Sequence, residues 1–413
     1  MSSWRESFRA LNHRDFRLYT AGQIVSLTGS WMQGVAQSWL IYRLTHSEFM
    51  MGAVMFATHI PVLLLGPLGG MAADRFPRQR IVLITQTLAL LQALTLALLN
   101  STGLITPKIV LMLAAVLGIA NAFDIPGRQT LFIQMVGKQD LISAISLNSA
   151  IFNASRVVGP SLAGIIVAAF GETVCFGINA VSFIAMIVCV AAMHLPKAST
   201  TPSEGQGGFK EGFLYAWSHR ELRALLAICG LTGLCYAPIL ALAPFFADGI
   251  FHKGSAGLGF LIGSMGIGAV IGVVRLARHT GISDLPQVSL QSALILGLSL
   301  LGFGVSPWFG VSMGLMTLIG FSVMRQNSSS NSLIQYTVPD QYRGRMMALF
   351  SMVVTGLLPI GSLASGALAE AFGARAVVIA ASLCCLAGAL ALRFAMPGFS
   401  RWVKQHEEEA CAA

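Results

Sequence analysis

The residues best placed to do chemistry are an acid and a base inside a long apolar run, residues 109–136. Asn121, Asp124 and Arg128 stand there at spacings of three and four, which puts all three on one face of a helix. An acid four residues before a base is the favoured order for a pair on one helix. The pattern predicts either a permanent ion pair or a carboxylate that takes up and releases a proton.

The composition indicates that these charges lie within a membrane. Charged residues make up 10% of the chain, against about 25% in typical soluble domains, and hydrophobic residues make up 55%. The mean hydropathy is +0.73. Such a chain cannot cover a water-facing surface with polar groups, so the lipid bilayer is its expected surrounding.

Apolar segments long enough to cross a membrane core of about 30 Å recur along the whole chain. Twelve are predicted, at roughly 17–42, 49–73, 81–100, 108–135, 142–169, 173–194, 223–247, 256–277, 287–305, 308–336, 346–369 and 375–396. They lack the strict alternation of a membrane β-barrel. The predicted fold class is therefore an all-α membrane protein with twelve transmembrane helices.

The distribution of Lys and Arg predicts the orientation. These residues are concentrated in the two termini and the even-numbered loops, which places both termini in the cytoplasm by the positive-inside rule. The net charge of +9 is then explained without a nucleic acid partner. The basic residues before the first segment form an amphipathic stretch rather than a cleavable signal peptide.

The chain repeats itself with an offset of 202 residues, so that Gly159 falls on Gly361 and Gly164 on Gly366. Six spans in each half keep both copies in the same orientation, as in a large class of secondary transporters. The predicted domains are an N-terminal six-helix bundle, a cytoplasmic linker with an interfacial helix, a C-terminal six-helix bundle and a cytoplasmic tail, at 1–195, 196–222, 223–398 and 399–413.

Polar side chains follow one face of the first and fourth span of each half, which predicts that these spans line a substrate cavity. Two polar residues of span five are added to this set. The candidates for the cavity are then Gln33, Gln37, Asn121, Asn153, Arg156, Tyr236, Arg325, Asn327 and Asn331. The alternative is that such groups bond between helices without touching a substrate. The excess of Arg over Asp among the buried charges favours an anionic cargo.

The loop between spans two and three reads "GGMAADRFPRQR" and resembles the signature loop of the major facilitator superfamily. The matching residues are Gly70, Asp74, Arg75, Arg78 and Arg80, while Pro77 replaces the usual Gly. The resemblance covers essentially the full chain and implies the two-bundle fold. In that family the loop is a conformational latch. The corresponding loop of the second half, "GVVRLARHTG", has no Asp.

Span five reads "SRVVGPSLAG" and resembles the family's antiporter signature through Gly159, Pro160 and Gly164, with Ser155 and Ala163 in place of Gly. That motif accompanies proton-driven export, although close helix packing by small residues explains it equally well. The stretches "RDFRLYTAGQIVSLTGSWM", "DIPGRQ" and "LNSAIFNASRVVGP" are similar to the subgroup that contains the enterobactin exporter. This resemblance implies siderophore-like or drug-like efflux across a bacterial inner membrane.

The sequence thus predicts a monomeric secondary transporter that exports an amphipathic organic molecule by alternating access in exchange for protons. A broad multidrug pump and a lipid or lysolipid translocator remain alternatives, and a sensor without turnover is a further one. The chain has no nucleotide-binding loop and its His residues have no ligand-like spacing, so no cofactor, no metal and no enzymatic activity are expected. Three partners are open for Asp124: a proton, Arg78 acting as a latch, or a neighbouring Arg, either Arg128 or Arg156.

Overall fold

A computed structural model describes residues 8–195, 209–277 and 281–395, together with Val403. Residues 196–208 of the expected linker and, apart from Val403, the expected tail lie outside this range. Within the described residues the chain is almost entirely helical and contains no strand.

Twelve helices in the described part of the chain have 20 residues or more. The first six are α1 (Arg14–Thr45), α2 (Glu48–Arg75), α3 (Arg78–Ser101), α4 (Pro107–Val136), α5 (Leu141–Phe170) and α6 (Glu172–Ala191). The other six are α7 (Arg220–Phe245), α8 (Gly254–Ala277), α9 (Leu285–Val305), α10 (Phe309–Thr337), α11 (Asp340–Phe372) and α12 (Ala374–Ala395). A short linker helix, Phe209–Ser218, precedes α7, and a π-helical turn, Phe246–Ile250, follows it.

Ten of the described helices are long and apolar enough to cross a membrane. The remaining two of similar length, α1 and α10, carry more polar side chains, including Gln23, Gln33, Arg325 and Gln326. These polar groups are buried in the protein, where they cost less than they would against lipid. The all-α membrane fold is confirmed, and α1 and α10 have the length of spans without the hydropathy.

The helices divide into two compact units. Unit 1 comprises residues 1–203 with 247–263, and unit 2 comprises 204–246 with 264–413. In unit 1, α1 packs against α5 and α6, while α3 packs against α4 and α6. In unit 2, α7 packs against α11 and α12, while α9 packs against α10 and α12. Each pairing recurs when the helix number is raised by six, as a parallel repeat requires.

Helix ends follow the same repeat. Gly171 ends α5 with φ of 81°, and Gly373 ends α11 with φ of 87°. Only Gly adopts this backbone conformation without steric cost. The two positions differ by 202 residues, the offset seen in the sequence.

Two further glycines, again 202 residues apart, bring helices into backbone contact. A Cβ at Gly118 of α4 would overlap the carbonyl oxygen of Thr58 in α2, and one at Gly320 of α10 would overlap that of Met265 in α8. Without a side chain, the helices approach closely enough for contacts between backbones. The fourth helix of each half is therefore held against the second.

Gly320→Ala is expected to destabilise the protein by about 1–3 kcal/mol, because the added methyl group meets the backbone of α8. The matched control is Gly314→Ala on the same helix, where a Cβ would meet open space. Thermal unfolding of the purified variants measures the difference. Equal melting temperatures for the two variants would show that α8 and α10 do not rely on this contact.

Candidate functional site

The centre of the candidate site is the acid–base pair of α4. Arg128 Nε lies 2.5 Å from Asp124 Oδ2, one helical turn apart. Asp124 is buried, with 7% of its surface exposed. Helical spacing alone brings the two side chains together, and the ion pair lowers the cost of placing a carboxylate inside the bundle.

Helix α3 supplies two neutral partners to the same carboxylate. Thr85 Oγ1 lies 2.7 Å from Asp124 Oδ1, and Gln86 Nε2 donates to that oxygen at 3.1 Å. Thr85 and Gln86 are both buried. The carboxylate thus receives a cation on one oxygen and two hydrogen-bonding groups on the other.

The Thr85 hydroxyl has a choice of acceptors. Its Oγ1 lies 3.0 Å from the carbonyl oxygen of Val82 as well as 2.7 Å from Asp124. A hydroxyl carries one proton, so it donates to one acceptor at a time and can accept from another donor. Thr85 can therefore donate to an ionised Asp124, or donate to Val82 and accept from a protonated Asp124. The site can satisfy both protonation states without moving a helix.

Helix α1 supplies the partners of the cation. Arg128 donates from its guanidinium to Gln23 Oε1, and Tyr19 lies close enough to interact with it. Gln23 and Tyr19 are buried. Side chains of α1, α3 and α4 therefore meet at one charged pair, which links these three helices through a single hydrogen-bonded network.

Arg78, the first residue of α3, contacts the backbone of α4 beyond this pair. Arg78 donates to the carbonyl oxygens of Ala73 and Thr130, both at 3.4 Å. Thr130 lies six residues beyond Asp124, so Arg78 binds α4 without reaching the carboxylate. Of the other signature residues, Asp74, Arg75 and Arg80 are exposed and Gly70 is half-buried. Of the three Arg side chains expected as possible partners of Asp124, Arg128 is the one that forms an ion pair with it in the described residues.

Unit 2 contains a neutral counterpart of the charged pair. With the offset of 202 residues, Asp124 corresponds to Gln326 and Arg128 to Ser330. Gln326 Nε2 donates to Ser330 Oγ at 3.2 Å, one turn along α10, and to Ser289 Oγ of α9 at 2.7 Å. The same bridge between the third and fourth helix of the half is thus built without charge. The fold does not require ions at this position, so the charges of unit 1 call for another explanation.

A second polar network joins α1, α3 and α6. Gln33 Nε2 donates to Gln92 Oε1 at 2.8 Å, and Asn179 Nδ2 donates to Gln33 Oε1 at 2.7 Å. Ser182 Oγ in turn donates to Asn179 Oδ1 at 2.8 Å. Gln33, expected in the cavity, is 1% exposed. Its amide is engaged in bonds between helices, which is the alternative that the sequence left open.

Gln33→Leu is expected to destabilise the cargo-free protein by about 1–3 kcal/mol, because Gln92 and Asn179 each lose a buried partner. Ser38→Ala, at a half-buried position on the same helix where the hydroxyl bonds to its own helix at Gly34, serves as the control and should leave the melting temperature unchanged. A stable Gln33→Leu variant would assign Gln33 to the cavity instead.

The other cavity candidates lie in both units. In α5, Arg156 lies over the Trp31 ring at 5.9 Å, and Asn153 donates to its own helix at Ser149. In α7, Tyr236 is buried and its hydroxyl lies 3.2 Å from Met265 Sδ.

The remaining candidates are on α1, α4 and α10. Gln37 is buried, Asn121 and Asn327 are half-buried, and Asn331 accepts from Gln335. Arg325 lies near Gln291 of α9, with its Nη2 at 3.5 Å from the Gln291 Oε1. Arg325 is thus directed away from Gln326, which faces Ser289.

The residues of the span-five signature lie at helix contacts. A Cβ at Gly159 would overlap Trp31 and the backbone of α1 at Thr28. Gly164 faces Gly259, which also belongs to unit 1, and Pro160 is buried beside them. Close packing by small residues, expected from the sequence, describes all three positions.

Sequence reasoning missed the partners of the pair: Gln23, Thr85 and Gln86. A signal was present, because "TQT" at residues 85–87 is a polar triplet inside an otherwise apolar span. Polar residues inside a membrane span indicate contacts within the protein even where no repeated stripe is present.

Comparisons with known proteins agree with this architecture. The profile of a family described as transmembrane secretion effectors matches residues 5–409. The staphyloferrin A transporter of Staphylococcus aureus is 25% identical over 364 residues, which is 86% of this chain and 90% of that protein. The multidrug efflux pump Tap of Mycolicibacterium fortuitum is 26% identical over 382 residues, 89% and 91% of the two chains. A solved peptide transporter, POT, superposes with a TM-score of 0.75 at 14% identity, covering 94% of this chain and 96% of that one.

Proposed function

The chain belongs to the transmembrane secretion effector family of the major facilitator superfamily, and from that premise we propose that it is a proton-coupled antiporter. It exports an amphipathic organic molecule by alternating access, and Asp124 is the residue that carries the proton. The observation that carries this proposal is the charged pair of unit 1, set against its neutral counterpart in unit 2.

The coupling step follows from the contacts of Asp124. In the ionised state the carboxylate holds Arg128 at 2.5 Å and accepts from Thr85 and Gln86. When Asp124 takes up a proton, Arg128 loses its counter-charge, and the Thr85 hydroxyl turns to the carbonyl of Val82. Arg128 is then held by Gln23 and Tyr19 of α1, and Asp124 keeps only neutral hydrogen bonds to α3. Protonation in this way weakens the link between three helices of one bundle and permits the rocking movement.

The latch is linked to this step through α4. Arg78, at the start of α3, binds the backbone of α4 at Thr130, on the same helix as the charged pair. A change in the packing of α4 therefore reaches the latch along this helix. Asp74, Arg75 and Arg80 complete the latch, as the family signature implies.

The cargo is siderophore-like or drug-like. The relative from Staphylococcus aureus is a staphyloferrin A transporter, which supports the first class, and the pump Tap supports broad drug efflux as the second candidate. Arg128 is neutralised by Asp124 and does not count towards an anionic cargo. Arg156, next to the Trp31 ring, offers a cation and an aromatic surface to an amphipathic molecule.

The proposed setting is a bacterial inner membrane, with both termini in the cytoplasm, the lipid bilayer around a monomer, and protons entering as the cargo leaves. Two bundles, 1–195 and 223–398, form the transporter. This orientation rests on the distribution of Lys and Arg along the chain.

The test of function is a comparison of metabolites. Spent medium of a strain lacking the protein is profiled against its parent under iron limitation, with complementation by the wild type and by Asp124→Asn. We expect at least one organic acid or catechol compound to fall severalfold and to recover with the wild type only. A panel of drug sensitivities on the same strains tests the second candidate. Unchanged profiles together with unchanged sensitivities would overturn export of either class.

A further inference from the structure

Arg325 is a buried cation without an acid. It lies in α10 with 8% of its surface exposed, and its Nε has no hydrogen-bond partner among the described residues. The nearest polar contact is a long one, 3.5 Å from Nη2 to the Gln291 side chain. Gly272 of α8 lies against the backbone of α10 at Phe321, and this contact brings another base, Arg275 of α8, to the same level as Arg325.

The contrast with Arg128 is direct. Arg128 has a carboxylate at 2.5 Å and an amide oxygen as a second partner, whereas Arg325 has a second cation nearby. An uncompensated buried charge costs several kcal/mol in a protein interior. Two bases near each other in a membrane segment, with no acid in the described residues to balance them, indicate that the balancing anion comes from outside the chain.

The two bases lie at a depth in the membrane where a lipid headgroup can reach them. Because Gly272 of α8 lies against α10 at Phe321, Arg275 and Arg325, three and four residues further along the two helices, lie at the same level of unit 2. Arg275 is two residues before the end of α8, and Gln291 is six residues after the start of α9. The site is therefore near one end of two of its three helices, which is the cytoplasmic end in the proposed orientation. A long Arg side chain reaches such a boundary readily.

The surface around the two bases is apolar. Leu318 lies seven residues before Arg325 on the same face of α10 and is 46% exposed, and Leu298 lies seven residues after the exposed Gln291 on α9 and is 60% exposed. Ile271, one turn before Arg275 on α8, is 49% exposed. Exposed large aliphatic side chains on three neighbouring helices of a membrane protein face lipid tails rather than an aqueous cavity.

We propose that Arg325, Arg275 and Gln291 form a binding site on unit 2 for the phosphate of an anionic phospholipid, with the acyl chains lying on the adjacent apolar surface. Arg325 supplies the buried charge and its unpartnered Nε–H, Arg275 supplies the exposed charge, and Gln291 donates from its amide. The Phe321 ring, 5.7 Å from the Arg325 guanidinium, holds that guanidinium in place. Basic pockets between transmembrane helices on the cytoplasmic side bind anionic headgroups by this chemistry.

The site is independent of the cargo and of proton coupling, so its test needs no transport assay. Purified full-length protein is exchanged into detergent with dioleoyl phosphatidylglycerol, tetraoleoyl cardiolipin or dioleoyl phosphatidylcholine, and bound lipid is counted by native mass spectrometry. We expect the two anionic lipids to be retained by the wild type and their occupancy to fall at least fivefold in Arg325→Gln. Arg275→Gln, a surface change that does not threaten folding, should lower it at least twofold. Arg393→Gln, at an exposed base of α12, is the control and should not change it.

Three results would each overturn the proposal. The first is equal retention of anionic lipid by the wild type and by Arg275→Gln and Arg325→Gln. The second is retention of phosphatidylcholine to the same degree as the anionic lipids. The third is displacement of bound lipid by millimolar inorganic phosphate, which would assign the site to a free anion instead of a headgroup.

Discussion

Asp124→Asn is expected to abolish export driven by a pH gradient, with a loss of more than tenfold in the initial rate. The substitution keeps the shape of the side chain and its hydrogen bonds to α3, but it removes the group that can change its charge. Everted membrane vesicles loaded with an imposed pH gradient measure the rate, and the probe is the compound lost from the spent medium of the deletion strain. Exchange of labelled for unlabelled cargo at zero gradient should persist, because Asn at this position is uncharged, like the protonated carboxyl group that permits the rocking movement.

The matched control for this prediction is Asp284→Asn, which changes an exposed carboxylate at the start of α9. It should transport as the wild type does. A pH-driven rate in Asp124→Asn equal to that of the control would show that Asp124 is neither the proton carrier nor part of a latch. Loss of both pH-driven transport and exchange would instead indicate a structural role for the carboxylate.

Arg128→Gln is expected to be the most destabilising single substitution in the site, by about 3–5 kcal/mol, because it leaves a buried carboxylate without its cation. The second substitution Asp124→Asn should restore most of that loss, since the neutral pair then resembles Gln326 and Ser330 in unit 2. Thermal unfolding of the wild type, the two single variants and the double variant forms a double-mutant cycle that measures the coupling energy. A double variant that folds well and transports nothing against a pH gradient would separate stability from coupling.

The same cycle distinguishes the expected partners of Asp124. If Arg78 held the carboxylate, Arg78→Gln would cause the larger loss and Asp124→Asn would rescue it. Because Arg78 contacts two backbone carbonyls at 3.4 Å within the described part of the chain, its replacement should cost about 1 kcal/mol or less. Additive effects of Asp124→Asn and Arg128→Gln would contradict the ion pair seen in the structure.

The fold was predictable from the sequence because membrane segments are recognised by their hydropathy and length. The repeat was also visible, since Gly171 and Gly373 must keep their positions to end two equivalent helices. The pair Asp124–Arg128 followed from spacing within one helix, which needs no knowledge of the neighbours. Each of these features depends on local chemistry alone.

The surroundings of the site were less predictable, because they depend on how helices rotate against one another. Gln33 shares a polar stripe with Gln37, yet its amide joins Gln92 and Asn179 within the bundle. Arg325 and Gln326 are neighbours in sequence, yet their side chains contact different residues of α9, Gln291 and Ser289. Consecutive residues of a helix are rotated by about 100° about its axis, and this rotation decides whether a side chain faces a cavity, a polar network or the lipid. Hydropathy does not contain this information.

Cargo-driven proton movement tests the central claim most directly. Purified protein is reconstituted in proteoliposomes that contain a pH-sensitive dye, and the exported compound is added on one side with no gradient imposed. The account predicts that the wild type moves protons in the direction opposite to the cargo and that Asp124→Asn moves cargo without protons. Cargo transport by the wild type without any change in internal pH, and without any response to an imposed pH gradient, would contradict it.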